Sequence, residues 1–199
     1  MGRRAKYTEQ DILDAALELV AEDGTHAASV VAIAKRLGAP SGSIYHRFSS
    51  RDLILATLWI RTVKRFQQGF LEALTLHDTV QAARGAVEHI VTWTSAHRSE
   101  ARILTMYRRE DLITAWPDEL GADLSSLNDE VTQAVIEFTR RHFNVVDAET
   151  TSKARFALIE IPYAAARHII RNPQPPPSWL SQTVVAASLA SLSTGRAES

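Results

Sequence analysis

The chain has no cysteine among its 199 residues. Disulfides and thiolate-bound metals are therefore excluded, and a reducing compartment, the cytoplasm, is the expected location. No run of about eighteen apolar residues exists, so no membrane helix is expected. The opening residues Met1-Gly2-Arg3-Arg4-Ala5-Lys6 carry positive charge with no apolar signal core behind them, which disfavours secretion. Strand-like alternation and internal repeats are missing. So are a nucleophile elbow, a phosphate-cradling glycine loop, a dinucleotide fingerprint and an HExxH zinc motif. His89 and His97 share a helix face, but eight residues of spacing is too wide for one metal. Glu110-Asp111 and Asp129-Glu130 are neighbours that point apart on a helix and read as solvated faces. No enzyme activity, metal or cofactor is expected from this inventory.

What is present is helix-forming. Hydrophobic residues make up 45% of the chain and recur at helical spacing along most of it, enough for a real core. The net charge of −1 argues against a protein coated in nucleic acid. Its distribution says more: the first 51 residues are net +1 and the remainder net −2. The N-terminal acids lie between Glu9 and Asp23, whereas the bases are Arg3, Arg4, Lys6, Lys35, Arg36, Arg47 and Arg51. A small domain with its bases held away from its acids can meet phosphate.

The spacing predicts an all-α protein of about nine helices. A first helix runs from the Thr8 cap to Asp23, with Gly24 as a left-handed end. Ser29 caps a second, Gly38 supplies a positive φ, and Ser41 opens a third, short helix anchored by Ile44, Tyr45 and Phe48. A long fourth helix carries Leu55, Leu58, Trp59, Val63, Phe66, Phe70 and Leu74 as one stripe. Further helices are expected at Thr79–His97 and Ser99–Glu110. Another runs from Pro117 to His142 with a break near Gly121. One from Asp147 to Ile170 should be kinked by Pro162. The stretch Asn172–Ser178 is a stiff connector, a last helix covers Trp179–Leu192, and the tail after Ser193 should fray. Two domains follow, 1–52 and 53–199.

Within the first domain, SVVAIAKRLGAPSGSIYHRF (Ser29–Phe48) is an amphipathic helix, a glycine turn and a second short helix with polar side chains on one face. That is a helix-turn-helix outline, whose second helix can enter a major groove. Residues 8–59 also resemble the N-terminal domain of the TetR family of bacterial transcriptional regulators. The matching pieces are Ile12-Leu13-Asp14-Ala15-Ala16, Gly24, Ile33-Ala34, Leu37-Gly38, Gly42-Ser43-Ile44-Tyr45-His46-Arg47-Phe48 and Asp52-Leu53. The combination is specific, although no single piece is. The resemblance implies a homodimer on a near-palindromic operator in double-stranded DNA, usually a repressor released by a small molecule. A physical argument supports the pairing: one short recognition helix buries too little surface for a unique site, and a two-fold dimer doubles it.

For DNA contact, Ser29 and the free amides of its helix suit a phosphate. Tyr45 resembles the family's phosphate-binding tyrosine, and Arg51 stands where many members have lysine. Ser41, Gly42, Ser43, His46 and Arg47 lie on or near the base-facing side. Gly42 allows close backbone approach, and Arg47 suits bidentate pairing with guanine. Val31 stands where some members place a polar base reader; here it meets a thymine methyl or packs. Lys35 and Arg36 read as a solvated face. Arg3, Arg4 and Lys6 form a candidate groove arm.

In the second domain, the last two helices carry Leu180, Val184, Ala186, Ala187, Ala190 and Leu192 on one and Phe156, Ile159, Tyr163, Ala166 and Ile170 on the other. They suit a homodimer interface, as the family resemblance implies, or an internal core. Trp93, Met106, Tyr107, Phe156 and Tyr163 are the candidate lining of a pocket for a small hydrophobic or aromatic effector, with ordinary core packing as the competing reading. Alternatives to a repressor are an activator, a helical small-molecule-binding protein without a regulatory role, and a small enzyme using that pocket.

Overall fold

The computed structural model describes residues 7–193, which contain helices and connecting turns and no strand. The candidate arm at Arg3, Arg4 and Lys6 and the tail beyond Ser193 lie outside the described residues. Two compact units are present. One comprises the described residues up to Val63 together with Ser99–Ser125, the other Lys64–Arg98 together with residues 126–193.

In the first unit, α1 (Glu9–Asp23) begins at a reciprocal cap. Thr8 Oγ1 accepts from the Asp11 amide at 3.2 Å, and the Asp11 carboxylate accepts from the Thr8 amide at 2.7 Å. The bond from the Thr8 amide holds the Asp11 carboxyl below its ordinary pKa. Ile12, Leu13, Ala15, Ala16, Leu19 and Val20 are buried on one stripe, as the spacing predicts. Gly24 has the expected positive φ of 86° but pairs it with ψ 178°, so it is an extended glycine and not a left-handed cap. The chain leaves straight into a single 3-10 turn, Thr25–Ala27, which takes the place of a Schellman ending.

Helix α2 (Val30–Leu37) starts at Ser29, whose Oγ accepts from the Ala32 amide at 3.1 Å. It ends at Gly38 with φ 64° and ψ 33°, where Ala39 N–H returns to the Ala34 carbonyl. Helix α3 (Ser41–Tyr45) is one turn and a half and buries only Ile44. Helix α4 (Arg51–Leu74) follows, with its residues through Val63 in this unit and the rest in the second, and is opened by Ser50 Oγ accepting from the Leu53 amide at 3.1 Å. Ile12, Ile33, Ile44 and Ile54 are completely enclosed and Phe48 nearly so. Each such side chain stabilises the head by about 1.5–3 kcal/mol. Two arginines link neighbouring helices. Arg36 on α2 forks onto Glu18 and Glu22 of α1, and Arg61 on α4 reaches Gln10 and Asp14.

The remainder of this unit is α6 (Arg98–Leu104) from Ser99 onward, α7 (Arg109–Ala115) and most of α8 (Pro117–Ser126). Trp59 Nε1–H donates to the Leu104 carbonyl at 3.3 Å. The single helix expected over Ser99–Glu110 is divided because Thr105 Oγ1 donates to the Arg102 carbonyl and the chain turns there. Gly121 does not break α8. A glycine costs a helix only about 1 kcal/mol relative to alanine, and the interruption falls instead at Leu127–Asn128. Leu127 is buried there, and the Asn128 side chain accepts from Gln67 Nε2 at 3.0 Å.

In the second unit, α5 (Thr79–Ala96) is the central helix, flanked by α9 (Asp129–Phe143), α11 (Ile161–Arg171) and α12 (Trp179–Ser193). Ala82, Ala83, Ala86, Val87, Ile90 and Val91 give it a small-residue surface on which the neighbours close. Phe138 of α9 and Leu158 are wholly buried against it in the same core. Helix α10 (Ala148–Arg155) passes into a π-helical turn at Phe156–Glu160 and then into α11. The kink expected at Pro162 is thus a wider turn just before it. Ile161 N–H donates to the Phe156 carbonyl five residues back, and Pro162, which has no donor, sits in the first turn of α11. Arg98 closes this region by donating to the carbonyls of Asn172, Pro173 and Gln174 at 2.8, 3.0 and 2.6 Å.

Gly69 carries a constraint with no mark in the sequence. A Cβ at this position would overlap the His89 ring, whose Nε2–H donates to the Phe66 carbonyl at 2.8 Å. Gly69→Ala is expected to destabilise the protein by about 1–3 kcal/mol through this overlap. His89→Ala in the same chain should recover much of the loss. A denaturation cycle over the wild type, two single variants and the double variant measures it; strict additivity would show that the notch does not matter.

Candidate nucleic-acid interface

The N-termini of α2 and α4 open onto one depression of about 530 Å³, lined by Ser29, Val30, Val31, Tyr45, Ser49, Ser50, Arg51 and Asp52. Cap geometry produces this arrangement. Ser29 and Ser50 each use a hydroxyl oxygen to accept a first-turn amide, and a hydroxyl that accepts in this way can still donate its own hydrogen. Two helix N-termini facing the same hollow favour an anion there. Tyr45 is 55% exposed and lines the hollow, although it is an aromatic residue. Arg51 is anchored at 2.8 Å to Asp52 and at 2.5 Å to the Thr25 carbonyl. Its remaining donors stay available, since a guanidinium has five. Ser49, Ser50 and the Thr25 carbonyl are additions to the residues selected from sequence. Ser50 was recognisable as a cap three residues before Leu53; the Thr25 carbonyl carried no signal.

Along α3, Ser41 and Ser43 are half-buried, while Gly42 and His46 are exposed. A Cβ at Gly42 would meet nothing within 4 Å, so internal packing does not require glycine there. Arg47 lies beyond the last residue of α3, and its guanidinium turns back toward the Ser43 carbonyl at 3.4 Å. The structure therefore brings Ser29, Val31, Tyr45 and Arg51 together around one hollow and sets Arg47 apart from them. Arg36 is taken up by Glu18 and Glu22, a structural use.

Residues 12–58 match the family model described as "Bacterial regulatory proteins, tetR family". Over 178 residues the chain is 30% identical to the HTH-type transcriptional activator FasR of Mycolicibacterium smegmatis, which covers 87% of this chain and 78% of that one. The chain belongs to the TetR family. As a member of that family it is a DNA-binding transcriptional regulator. It is also 27% identical over 149 residues to the fatty acid metabolism regulator protein of Bacillus subtilis, across 75% of this chain and 68% of the relative. In three dimensions the TetR-family fold is shared with the fatty acid degradation regulator FadR from Bacillus halodurans. That likeness has a TM-score of 0.66 at 18% identity, covering 95% of this chain and 100% of that one. PfmR from Thermus thermophilus gives a TM-score of 0.66 at 20% identity over 91% and 96%.

The candidate effector residues of this TetR-family chain are dispersed. Trp93 is buried in the second unit, edge-on to Phe66 at 5.1 Å and stacked on His97 at 4.9 Å. Phe156 and Tyr163, also in that unit, face outward at 48% and 51% exposure, with Arg167 lying 5.6 Å over the Tyr163 ring. Met106 and Tyr107 belong to the first unit, half-buried after α6. Burial, together with the charge of Asp52, raises the Tyr107 phenol above its ordinary pKa. Among the described residues no helix is long and apolar enough to cross a membrane, and no group of three or more acidic or histidine side chains is placed to hold a metal.

Proposed function

We propose that the protein is a cytoplasmic homodimer that binds a near-palindromic operator and is released from it by a small apolar effector. The observation that supports the operator reading is the hollow that the caps of α2 and α4, Tyr45 and Arg51 line together. Ser29, Tyr45 and Arg51 hold backbone phosphates. Ser41, Gly42, Ser43 and His46 face the base edges, and Arg47 swings off Ser43 to reach a guanine. Pairing uses the last two helices. Leu180, Val184, Val185 and Leu192 of α12 are buried inward, while Trp179, Ala186, Ala187 and Ala190 are left exposed, as are Phe156, Tyr163 and Ala164 in the segment before it. A helix apolar on both sides calls for a second layer of protein. The names of two relatives, both tied to fatty acid metabolism, support an aliphatic effector, with Trp93 in its environment.

The test is selection of bound duplex from a random pool, which should enrich a palindrome; no enrichment at low ionic strength refutes the reading. On the selected operator, Tyr45→Phe should cost about 1.5–3 kcal/mol per half-site for every sequence tried. Arg51→Ala should reduce the log–log salt slope by about 0.9 per half-site. Equal affinities and slopes for all three proteins would put the phosphate contacts elsewhere. Repression follows where the operator overlaps a promoter. An activating role is the second reading, favoured by the likeness to the activator FasR; transcription in vitro from templates with the operator upstream or overlapping separates the two.

A further inference from the structure

We propose that Val31 reads a thymine methyl group at one position in each half-site; this rests on the operator reading above. Val30 and Val31 are the same residue type in the same turn, yet Val30 is 5% exposed and Val31 68%. The fold needs the first and makes no use of the second. A β-branched residue is also a mediocre helix former, so local propensity does not explain it. Single exposed valines are common on protein surfaces, and exposure alone would mean little. The position gives it meaning. Val31 lines the hollow together with Ser29, Tyr45, Ser50 and Arg51, which suit a phosphate, and Asp52, which pairs with Arg51. Its isopropyl group neither donates nor accepts a hydrogen bond and gains nothing from a phosphate. The apolar group that B-DNA offers in the major groove is the C5-methyl of thymine. A duplex whose phosphate sits at the first turn of α2 brings its groove edge alongside this side chain. Contact there removes both apolar surfaces from water and discriminates against cytosine.

Deoxyuridine differs from thymidine only by that methyl, so the test replaces each thymine of the selected operator in turn. One position per half-site should weaken binding about fourfold, the worth of one buried methyl, and the others should be silent. With Val31→Ser the scan should be flat at that position, while Tyr45→Phe should keep the methyl effect at lower overall affinity. The Val31→Ser protein should unfold at the wild-type temperature, because the side chain is exposed. If a palindrome is enriched but no methyl matters, or the effect survives Val31→Ser, the assignment to Val31 is wrong and the operator reading stands. If no duplex is enriched, both fall.

Discussion

Ile44→Ala is expected to abolish operator binding. Ile44 is the only buried residue of α3 and is completely enclosed. Truncating it leaves a cavity that costs about 2–5 kcal/mol. A five-residue helix has no independent stability to set against that, since isolated helices shorter than about 12–15 residues are marginal in water. Ser41, Gly42 and Tyr45 would then lose their common frame even though none of them is altered. Operator titration should show a loss beyond the measurable range, with hydrogen exchange of the α3 amides accelerated and total helicity nearly unchanged. Retention of affinity within about twofold would mean that α3 is positioned by something other than this anchor.

The second large effect concerns pairing. Ala187→Glu places a carboxylate among the exposed small residues of α12, beside Ala186 and Ala190. A single chain tolerates it, because the position faces solvent. In a dimer it becomes a buried charge without a partner, which association cannot offset. Sedimentation should report half the wild-type mass. Affinity for the full palindrome should fall by about 10²–10⁴, the advantage of linking two half-site contacts, whereas affinity for a single half-site should not change. A variant that stays dimeric would move the interface away from this face of α12.

The DNA head was legible in the sequence because its determinants are local. Thr8 with Asp11, Ser29 with Ala32, and Gly38 with its left-handed backbone all act within a few residues. The hydroxyl-lined hollow follows from the same cap rules. What escaped depends on partners distant along the chain. Arg51 is anchored by a carbonyl 26 residues away. Gly69 is explained only by His89 lying across it. The break after α8 avoids Gly121, the one glycine in that stretch, and occurs where Leu127 is buried and Asn128 meets Gln67. Effector residues were the least legible. An aromatic at helical spacing looks the same whether it closes a core, as Trp93 does with Phe66, or faces outward, as Phe156 and Tyr163 do.

Pro162 reaches further than its own ring. A π turn contains one residue more than the α-helical path it replaces, and one residue corresponds to about 100° around the axis. Every side chain from Ile161 to Arg171 is therefore rotated relative to an uninterrupted helix running on from α10. Tyr163, Ala164 and Arg167 owe their outward heading to that offset. Replacing the imino acid with a residue that can donate would invite the ladder to close up, and the helix would then present a different set of side chains to whatever lies beyond it.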